Sequence, residues 1–277
     1  MKFFKEALIT LCLALGLFAA YYWFTTTNDV IVESNRITDI YNYIKPNEYN
    51  KNLLVIFDID NTVGKLSTEL GSDQWFYAKV DNLKASGKTV DEAIQLALPE
   101  LFHVQFHSWM EPVEKDTVQV IKNLQDKGVT VIALTARSLE LTQRTIEQLH
   151  HMGIYFTKTD PYECPLTHGH GHGKAGLYID GIIFSGNHSK GEMIVSWFKQ
   201  IKYRPKKIIF IDDKLKNLQS VEKALHNRDY PFIGIRYGHE DELVKNFTLD
   251  SVADEEAAFF AEHPFEGTVL EGTVVAH

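Results

Sequence analysis

The stretch from Asn52 to Thr62 reads NLLVIFDIDNT and decides the fold that this sequence predicts. Its first half is a continuous apolar run, which is typical of a strand buried on both faces of a parallel sheet. Two acids, Asp58 and Asp60, follow where that strand should end. Ligands of doubly wound sheets bind beyond the carboxyl ends of the strands. We therefore expect both carboxylates to face one crevice.

Similar apolar runs recur along the chain, and helical patterns separate them. Strands that alternate with helices of this length predict βαβ units, hence an α/β fold with a doubly wound, Rossmann-like parallel sheet. Further strands are predicted at Val129–Leu134, Gly181–Phe184, Lys207–Ile211 and Phe232–Tyr237. Apolar stripes at helical spacing fall within residues 113–124, 141–149, 193–201 and 215–225.

One segment, residues 64–110, interrupts this alternation between the first strand and its crossover helix. It contains a capping-box start, Thr89 to Glu92, for a helix that should end before Pro99. We interpret residues 64–110 as a small helical cap inserted over the carboxyl edge of the sheet. Trp75 and Phe76 within it are expected to pack the cap on the core or to line the pocket.

The N-terminus, residues 1–27, differs from the rest. Lys2 and Lys5 precede Ala7–Phe24, which carries no charge. As a helix, Ala7–Phe24 would span about 27 Å, close to the roughly 30 Å of a bilayer's hydrocarbon core. An uncleaved membrane helix with its basic flank in the cytoplasm is one interpretation, a cleaved signal peptide another, and a buried helix a third. The first two place the remainder of the chain outside the cytoplasmic membrane.

Net charge and composition limit the possible functions and the remaining domain boundaries. The 277-residue chain has a formal net charge of -9, which argues against general nucleic-acid binding. Residues 28–50 are predicted to be a linker with a lead-in helix, and residues 51–240 the core domain with the cap inserted in it. Residues 241–277 are acidic and lack a clear period, so a frayed tail is expected.

Two more predicted strand ends carry groups that suit phosphate. Thr135 ends the second strand, where its hydroxyl could donate to a phosphoryl oxygen, and Ala136 beside it is assigned to the same phosphate site. Lys190 begins a helix after the third strand. Its ammonium and the helix N–H groups can neutralise phosphate charge there.

The fourth strand ends in Asp212 and Asp213, with Asn217 shortly after. These acids could complete an oxygen cage for a hard divalent cation such as Mg²⁺.

Together these segments resemble the four motifs of the haloacid-dehalogenase-like phosphatases. The resemblance covers about residues 50 to 240, and GSDQWF at 71–76 is similar to a bacterial branch of that superfamily without an assigned substrate. Exported acid phosphatases of the superfamily are more distant. The motifs in this chain are DIDNT at 58–62, LTAR at 134–137, SKGE at 189–192 and IDDKLKN at 211–217.

The resemblance implies a role for each motif residue of the covalent chemistry. Asp58 would be the nucleophile and a magnesium ligand. Asp60 would be the general acid and base, with its backbone carbonyl on the same metal. Thr135 and Lys190 would hold the phosphoryl group. An acid at position 60 suits phosphate esters, whose alkoxide leaving group needs a proton.

The resemblance also implies the remaining metal ligands. Asp213 matches the metal-binding acid best, and Asp212 is the weaker candidate that could orient Lys190 or a metal-bound water. Asn217 stands where the family often has an acid, and we count it with the phosphate-binding residues.

Two functions of different classes follow. The first is a Mg²⁺-dependent phosphomonoester hydrolase acting on a phosphorylated small molecule or a phosphoprotein, since a small cap should leave a fairly open site. The alternative is a non-catalytic, membrane-anchored protein that binds a metal or a phosphoprotein. Asp60 favours the enzyme, because binding alone would not need it.

Histidines form two further clusters. His168, His170 and His172 alternate with glycine, which fits an exposed loop or a chelator of zinc, nickel or copper. We favour the loop, because glycines do not preorganise ligands. His103 and His107 in the cap are expected to serve packing or substrate contact rather than zinc binding.

Overall fold

The strand that precedes Asp58 lies in the middle of the main sheet. The computed structural model describes residues 30–168, 176–186, 188–226, 228 and 230–265. The strands of these residues are β1 (Val30–Ser34), β2 (Leu53–Phe57), β3 (Gly64–Leu66), β4 (Met110–Pro112), β5 (Thr130–Thr135), β6 (Leu166–His168), β7 (Gly176–Ile179), β8 (Ile182–Phe184), β9 (Lys207–Asp212) and β10 (Phe232–Tyr237).

The main sheet runs in the order β1-β10-β9-β2-β5-β8-β7-β6. The neighbours from β1 to β8 pair in parallel, whereas β7 and β6 are antiparallel additions at one edge. The five predicted strands all lie in the parallel part, so the mostly parallel α/β sheet is confirmed. The carboxyl ends of β2, β5 and β9 meet at one edge, where the motif residues follow.

Helices cover both faces of this sheet. Alternate residues of β2 belong to different apolar clusters: Val55 and Phe57 pack on one face, Leu54 and Ile56 on the other. Period-two alternation between two apolar layers is what a doubly wound sheet requires. The helices are α3 (Thr117–Asp126) and α4 (Thr142–His151) on the first face, and α5 (Lys190–Ile201) and α6 (Leu215–His226) on the second.

Residues 30–50 differ from the expected linker with a lead-in helix, because β1 extends the sheet beside β10. Two 3-10 helices follow it, Ile37–Tyr43 and Pro46–Glu48. Ile37 and Ile40 are buried in the first apolar layer, so this segment is part of the core.

The cap segment, residues 64–110, holds two helices, α1 (Asp73–Ala85) and α2 (Val90–His107). An antiparallel ribbon of β3 and β4 joins it to the core. The predicted stop before Pro99 is wrong, since α2 passes through it. Pro99 removes one hydrogen bond, to the carbonyl of Gln95. Gln95 is exposed, so water can take that bond, while Leu101 and Val104 beyond the proline gain burial.

The expectation of a frayed tail is wrong for the described part of residues 241–277. This part forms α7 (Asp241–Asn246), a 3-10 turn (Leu249–Val252) and α8 (Ala253–Glu262). Val252, Phe259 and Phe260 pack against the cap residues Leu101 and Val104. The C-terminal helix therefore supports the cap.

Across the described residues, every helix is too short or too polar for a membrane crossing. The expected signal anchor or signal peptide, residues 1–27, lies outside the described residues.

Candidate active site

A buried array of charges lies at the carboxyl edge of the sheet. Asp58 directly follows β2, and its backbone N–H donates to the Ile211 carbonyl at 2.9 Å. The Nζ of Lys190 lies 2.6 Å from Oδ1 of Asp58 and 2.7 Å from Oδ2 of Asp212. All three side chains are buried. The structure thus joins the first, third and fourth motifs through one ammonium group.

Lys190 is held in place by its helix. Ser189 caps α5: its hydroxyl accepts from the Glu192 N–H, while the Glu192 carboxylate accepts from the Ser189 N–H. Gly191 follows, and a β-carbon there would lie 2.2 Å from the Ser220 carbonyl oxygen. Only glycine lets α5 approach α6 this closely, which brings Lys190 over the Asp212 carboxylate.

Asp212 is fully buried, and three donor groups make four hydrogen bonds to its two oxygens. Besides Lys190, the Asn217 amide donates to Oδ1 at 3.0 Å and to Oδ2 at 3.1 Å. The Lys214 N–H donates to Oδ1 at 2.8 Å. Asn217 lines the cleft, but its amide is engaged with Asp212. Asp212 therefore fits the orienting role that the sequence suggested for it.

Asp213 differs from Asp212 in having no partner for one oxygen. Its Oδ1 is buried and lacks a hydrogen bond from any described residue. One carboxylate oxygen each of Asp58, Asp212 and Asp213 lies within 4.8 Å of the other two. Burial raises the pKa of Asp213 to about 7, with Lys214 opposing and Asp212 adding to the rise. Burial and Asp212 likewise raise the pKa of Asp58, against Lys190.

Such a trio suits a hard divalent cation. Three carboxylates this close together, with Asp58 and Asp212 buried and Asp213 half-buried, repel one another unless a positive charge lies among them, and oxygen ligands are those that Mg²⁺ and Ca²⁺ prefer. The orphaned oxygen of Asp213 is a ligand atom that no group among the described residues uses. The donor set therefore fits the metal that the motifs imply.

Asp60 is separated from Lys190 and paired with Arg137. The Nη2 and Nε of Arg137 donate to Oδ1 and Oδ2 of Asp60, both at 2.8 Å. Gln148 and Thr145 accept from Nη1 of the same guanidinium at 2.6 and 3.2 Å. A bidentate pair fixes the plane of the carboxylate. Asp60 is thus held at a set orientation beside Asp58.

The sequence motifs gave Arg137 no predicted role, although its position could have indicated one. It comes two residues after Thr135, at a strand end, and arginine is the side chain that grips carboxylates bidentately. Burial lowers and Asp60 raises the pKa of Arg137, and the net direction is upward. The guanidinium therefore stays charged.

Thr135 ends β5 and Ala136 follows it, and both line the cleft with Asp58 and Asp60. The Thr135 hydroxyl oxygen accepts from the Arg137 N–H at 3.0 Å, so its hydrogen is left to donate elsewhere. Ala136 is exposed and lines the cleft. The structure thus gathers every predicted site residue at one edge.

A cleft of about 220 Å³ lies between this edge and the cap. The cap covers the site more than the sequence suggested. Asp73 at the start of α1 forms an ion pair with Lys214 of the core. The cap residues that line the cleft are Asp73, Phe76, Tyr77, Leu98, Leu101, Phe102 and Gln105. A larger groove of about 520 Å³ lies at the opposite edge of the sheet and contains none of the predicted site residues.

The structure also bears on the predictions for the aromatic residues and histidines of the cap. Trp75 is fully buried and packs the cap, whereas its neighbour Phe76 lines the cleft. His103 and His107 also serve packing. The His103 Nε2 lies 2.9 Å from the His263 carbonyl oxygen, and the His107 ring stacks on that of His263 at 4.3 Å.

His168 ends β6, and its Nδ1 lies 2.6 Å from the Ser196 hydroxyl. His170 and His172 lie outside the described residues. Among the described residues, only the Asp58–Asp212–Asp213 group brings three possible ligands together.

Comparison with known proteins gives a family match and distant relatives. Residues 33–261 match the family DUF2608, described as "Protein of unknown function". A Chlamydia pneumoniae protein named "Putative outer membrane protein" is 24% identical over 225 residues, which is 77% of this chain and 84% of that protein. An uncharacterized Rickettsia prowazekii protein is 25% identical over 203 residues, covering 68% and 70% of the two chains.

Solved structures with similarity to the chain are hydrolases of low sequence identity. A haloacid dehalogenase-like hydrolase from Streptococcus pneumoniae has a TM-score of 0.42 at 12% identity, covering 67% of this chain and 94% of that one. A phosphoserine phosphatase in a phospho-aspartyl intermediate analogue has a TM-score of 0.38 at 14% identity, covering 72% and 100%.

Proposed function

The chain belongs to the DUF2608 family, and for this member of it we propose a Mg²⁺-dependent phosphomonoester hydrolase that forms an aspartyl-phosphate on Asp58. One observation carries the proposal. A buried carboxylate directly after a central strand lies 2.6 Å from a buried ammonium, with a second acid on that ammonium's other side. Charged side chains are rarely buried unless they are paired or functional. Clusters of ionisable groups with strongly shifted pKa values mark functional sites.

Asp58 is the nucleophile in this proposal. Lys190 binds its Oδ1, so Oδ2 is the oxygen that attacks phosphorus. As the Oδ2–P bond forms, the ester P–O bond breaks and its electron pair leaves with the alcohol oxygen. Water then attacks the aspartyl-phosphate, which releases inorganic phosphate and restores the carboxylate. Lys190 and the Thr135 hydroxyl offset the negative charge of the transferring group.

Asp60 transfers the protons in both steps. It donates a proton to the leaving oxygen in the first step and takes one from water in the second. Arg137 orients it through two hydrogen bonds of 2.8 Å. A protein that only bound phosphate would not need an oriented acid, which favours the hydrolase over a non-catalytic binding protein.

Asp58, Asp212 and Asp213 would hold the metal, with Asp213 as the main ligand after Asp58. Asp212 already binds Lys190 and Asn217, whereas Oδ1 of Asp213 has no partner among the described residues. When bound, Mg²⁺ would neutralise charge on the phosphoryl oxygens and on the carboxylates around it.

We place the catalytic domain outside the cytoplasmic membrane, held by the N-terminal segment or released from it. The uncharged stretch after Lys2 and Lys5 supports this. The name "Putative outer membrane protein" of the chlamydial relatives agrees with an extracytoplasmic site. Protease added to intact cells or spheroplasts should digest the domain, and recovery of full-length chain in the soluble cytosol would contradict the location.

Trapping the intermediate tests the chemistry. Brief reaction with labelled aryl phosphate, acid quench and peptide mapping should put the label on Asp58. Asp58→Asn should abolish turnover and keep the fold, because an amide is a poor nucleophile. Asp81→Asn, at an exposed surface acid that pairs with Lys84, is the matched control and should be fully active. An active Asp58→Asn protein, or label on a histidine or serine, would refute the mechanism.

A further inference from the structure

The cap side of the cleft is mostly apolar. Two cap helices supply it, and three of its side chains, Phe76, Leu98 and Phe102, are half-buried. Each of these packs on one side against the cap interior and lines the cleft. Leu101 lies among them, and Tyr77 is the more exposed member at 46%. A leaving group that extends away from the phosphoryl site must lie against these side chains.

Two polar side chains of the cap that line the cleft, Asp73 and Gln105, are already engaged. Asp73 forms its ion pair with Lys214, and Lys214 lies 5.3 Å from the centre of the Tyr77 ring. The Gln105 amide donates to the Gly71 carbonyl at 3.0 Å. A leaving group rich in hydroxyls would lose water hydrogen bonds on entering this cleft and find few replacements. Buried polar groups without partners weaken binding strongly.

The cleft is also small, and its wall is fixed. Drug-sized ligands occupy pockets of roughly 300–1,000 Å³, against about 220 Å³ here. The two cap helices pack on each other through Val80, Ala93 and Ala97. Glu256 of α8 accepts a hydrogen bond from the Trp75 indole at 3.0 Å, which ties the wall to the C-terminal helix. The volume therefore does not depend on one flexible loop.

From these observations we infer that the substrate is a small phosphomonoester with a compact, apolar leaving group. The inference rests on the proposed function for the reaction, and it adds the class of alcohol. Phenyl and short alkyl phosphates belong to this class, whereas sugar phosphates and phosphorylated polypeptides do not.

A matched pair of substrates tests the inference in the full chain. Hexyl phosphate and sorbitol 6-phosphate share a six-carbon primary chain and differ in hydroxyl groups. We expect kcat/KM to be at least about tenfold higher for hexyl phosphate, the discrimination that apolar pockets usually provide. Equal or higher kcat/KM for sorbitol 6-phosphate would overturn the inference while the hydrolase stands. So would a tyrosine-phosphorylated peptide that is hydrolysed more efficiently than phenyl phosphate.

Variants of the wall tie the preference to the cap. Phe102→Ala should lower the hexyl-to-sorbitol ratio of kcat/KM by about tenfold, because the aromatic contact is lost. Tyr77→Ala, at a more exposed position, should lower the ratio in the same direction without endangering the fold. Phe106→Ala is the control: Phe106 is on the same helix, is 57% exposed and does not line the cleft. A ratio unchanged in both wall variants would overturn the inference.

Failure of the proposed function would look different, since no ester would be hydrolysed at all. Calorimetry with non-hydrolysable phosphonates keeps the inference testable in that case. Hexylphosphonate should bind at least about tenfold more tightly than methylphosphonate. Equal affinity for the two phosphonates would overturn it.

Discussion

The catalytic edge and the cap hold their side chains in opposite ways. At the edge, Asp58, Lys190 and Asp212 are fixed by charge, with contacts of 2.6 and 2.7 Å. Asp58 follows β2, Lys190 begins α5 and Asp212 ends β9. In the cap, the wall of the cleft is fixed by apolar packing against α8, a helix far away in the chain.

This difference separates chemistry from selectivity. Groups that act on phosphorus must be placed to within a fraction of an ångström, and strand ends of a rigid sheet provide that placement. Groups that choose the leaving group need only shape and polarity, which packed helices can vary without disturbing the edge. We expect changes at the edge to affect rate and metal binding, and changes in the cap to affect mainly selectivity and cap stability.

After the loss of turnover expected for Asp58→Asn, the largest effect in this comparison is expected at Asp60. Asp60→Asn should lower kcat by about 10² to 10⁴-fold, the usual contribution of a positioned acid or base. The loss should be smaller for 4-nitrophenyl phosphate than for phenyl phosphate, because a good leaving group needs less protonation. Steady-state kinetics with the two esters measure this. An equal loss on both would indicate that Asp60 serves structure rather than proton transfer.

Arg137→Lys examines the same acid through its partner. Lysine keeps the charge but cannot make the bidentate bond that orients Asp60. We expect a lower kcat with KM little changed, and a smaller loss than in Asp60→Asn. A KM effect alone would contradict a positioning role.

Asp213 should show the next largest effect, on magnesium. Asp213→Asn should raise the Mg²⁺ concentration for half-maximal activity by at least about tenfold, since even outer-shell partners of metals contribute 10- to 100-fold. Mg²⁺ should also raise the Tm of the wild type by mass action, and less so in this variant. Asp126→Asn, whose carboxylate pairs with Lys158 on the surface, is the control. An unchanged Mg²⁺ dependence in Asp213→Asn would remove Asp213 from the metal site.

The edge was largely predictable from sequence because its signals are local. The apolar run followed by Asp58 and Asp60 predicts both the strand and the end of it at which the site residues lie. Arg137 was missed because strand periodicity says nothing about which acid an arginine will bind. The hairpin strand β7 was missed although Asp180-Gly181, with φ of 53° and 74°, is the dipeptide that favours a two-residue hairpin turn.

The cap and its support were less predictable because their determinants are non-local. Pro99 predicted a helix end, yet burial of Leu101 and Val104 outweighed one lost hydrogen bond. Because α8 is rich in acidic residues, the sequence pattern did not indicate that Phe259 and Phe260 pack on the cap. The bond from Trp75 to Glu256 joins residues 181 positions apart, and no pattern within either segment encodes it.

Glu256 tests whether α8 supports the cap without contributing to chemistry. Its carboxylate accepts from the Trp75 indole at 3.0 Å and lies 2.7 Å from the Lys79 ammonium. Glu256→Ala leaves a buried N–H unpaired, which should destabilise the cap by about 1–3 kcal/mol. Hydrogen exchange should become faster in α1 and α2 but not in β2 or β5. Glu255→Ala, at the exposed neighbouring position, should change neither the stability of the cap nor the exchange rates. Faster exchange throughout the sheet in Glu256→Ala would contradict a separable cap.

The smallest effect is expected at the alternating histidines. Replacement of His168, His170 and His172 by Ala should leave Mg²⁺-dependent kcat/KM within about twofold, because surface changes away from a site are usually within ±0.5 kcal/mol. His168 lies on the edge strand β6 and contacts Ser196 of α5, the helix that begins with Lys190. That contact and the packing of the His168 ring against the His188 ring at 4.7 Å are ways in which His168 could affect the edge, yet Lys190 is independently held by two carboxylates. The triple variant and Ser196→Ala should therefore behave alike in a Mg²⁺ titration of activity. A tenfold fall in the triple variant that added zinc restores would show instead that the histidines bind a second metal on which the catalytic edge depends.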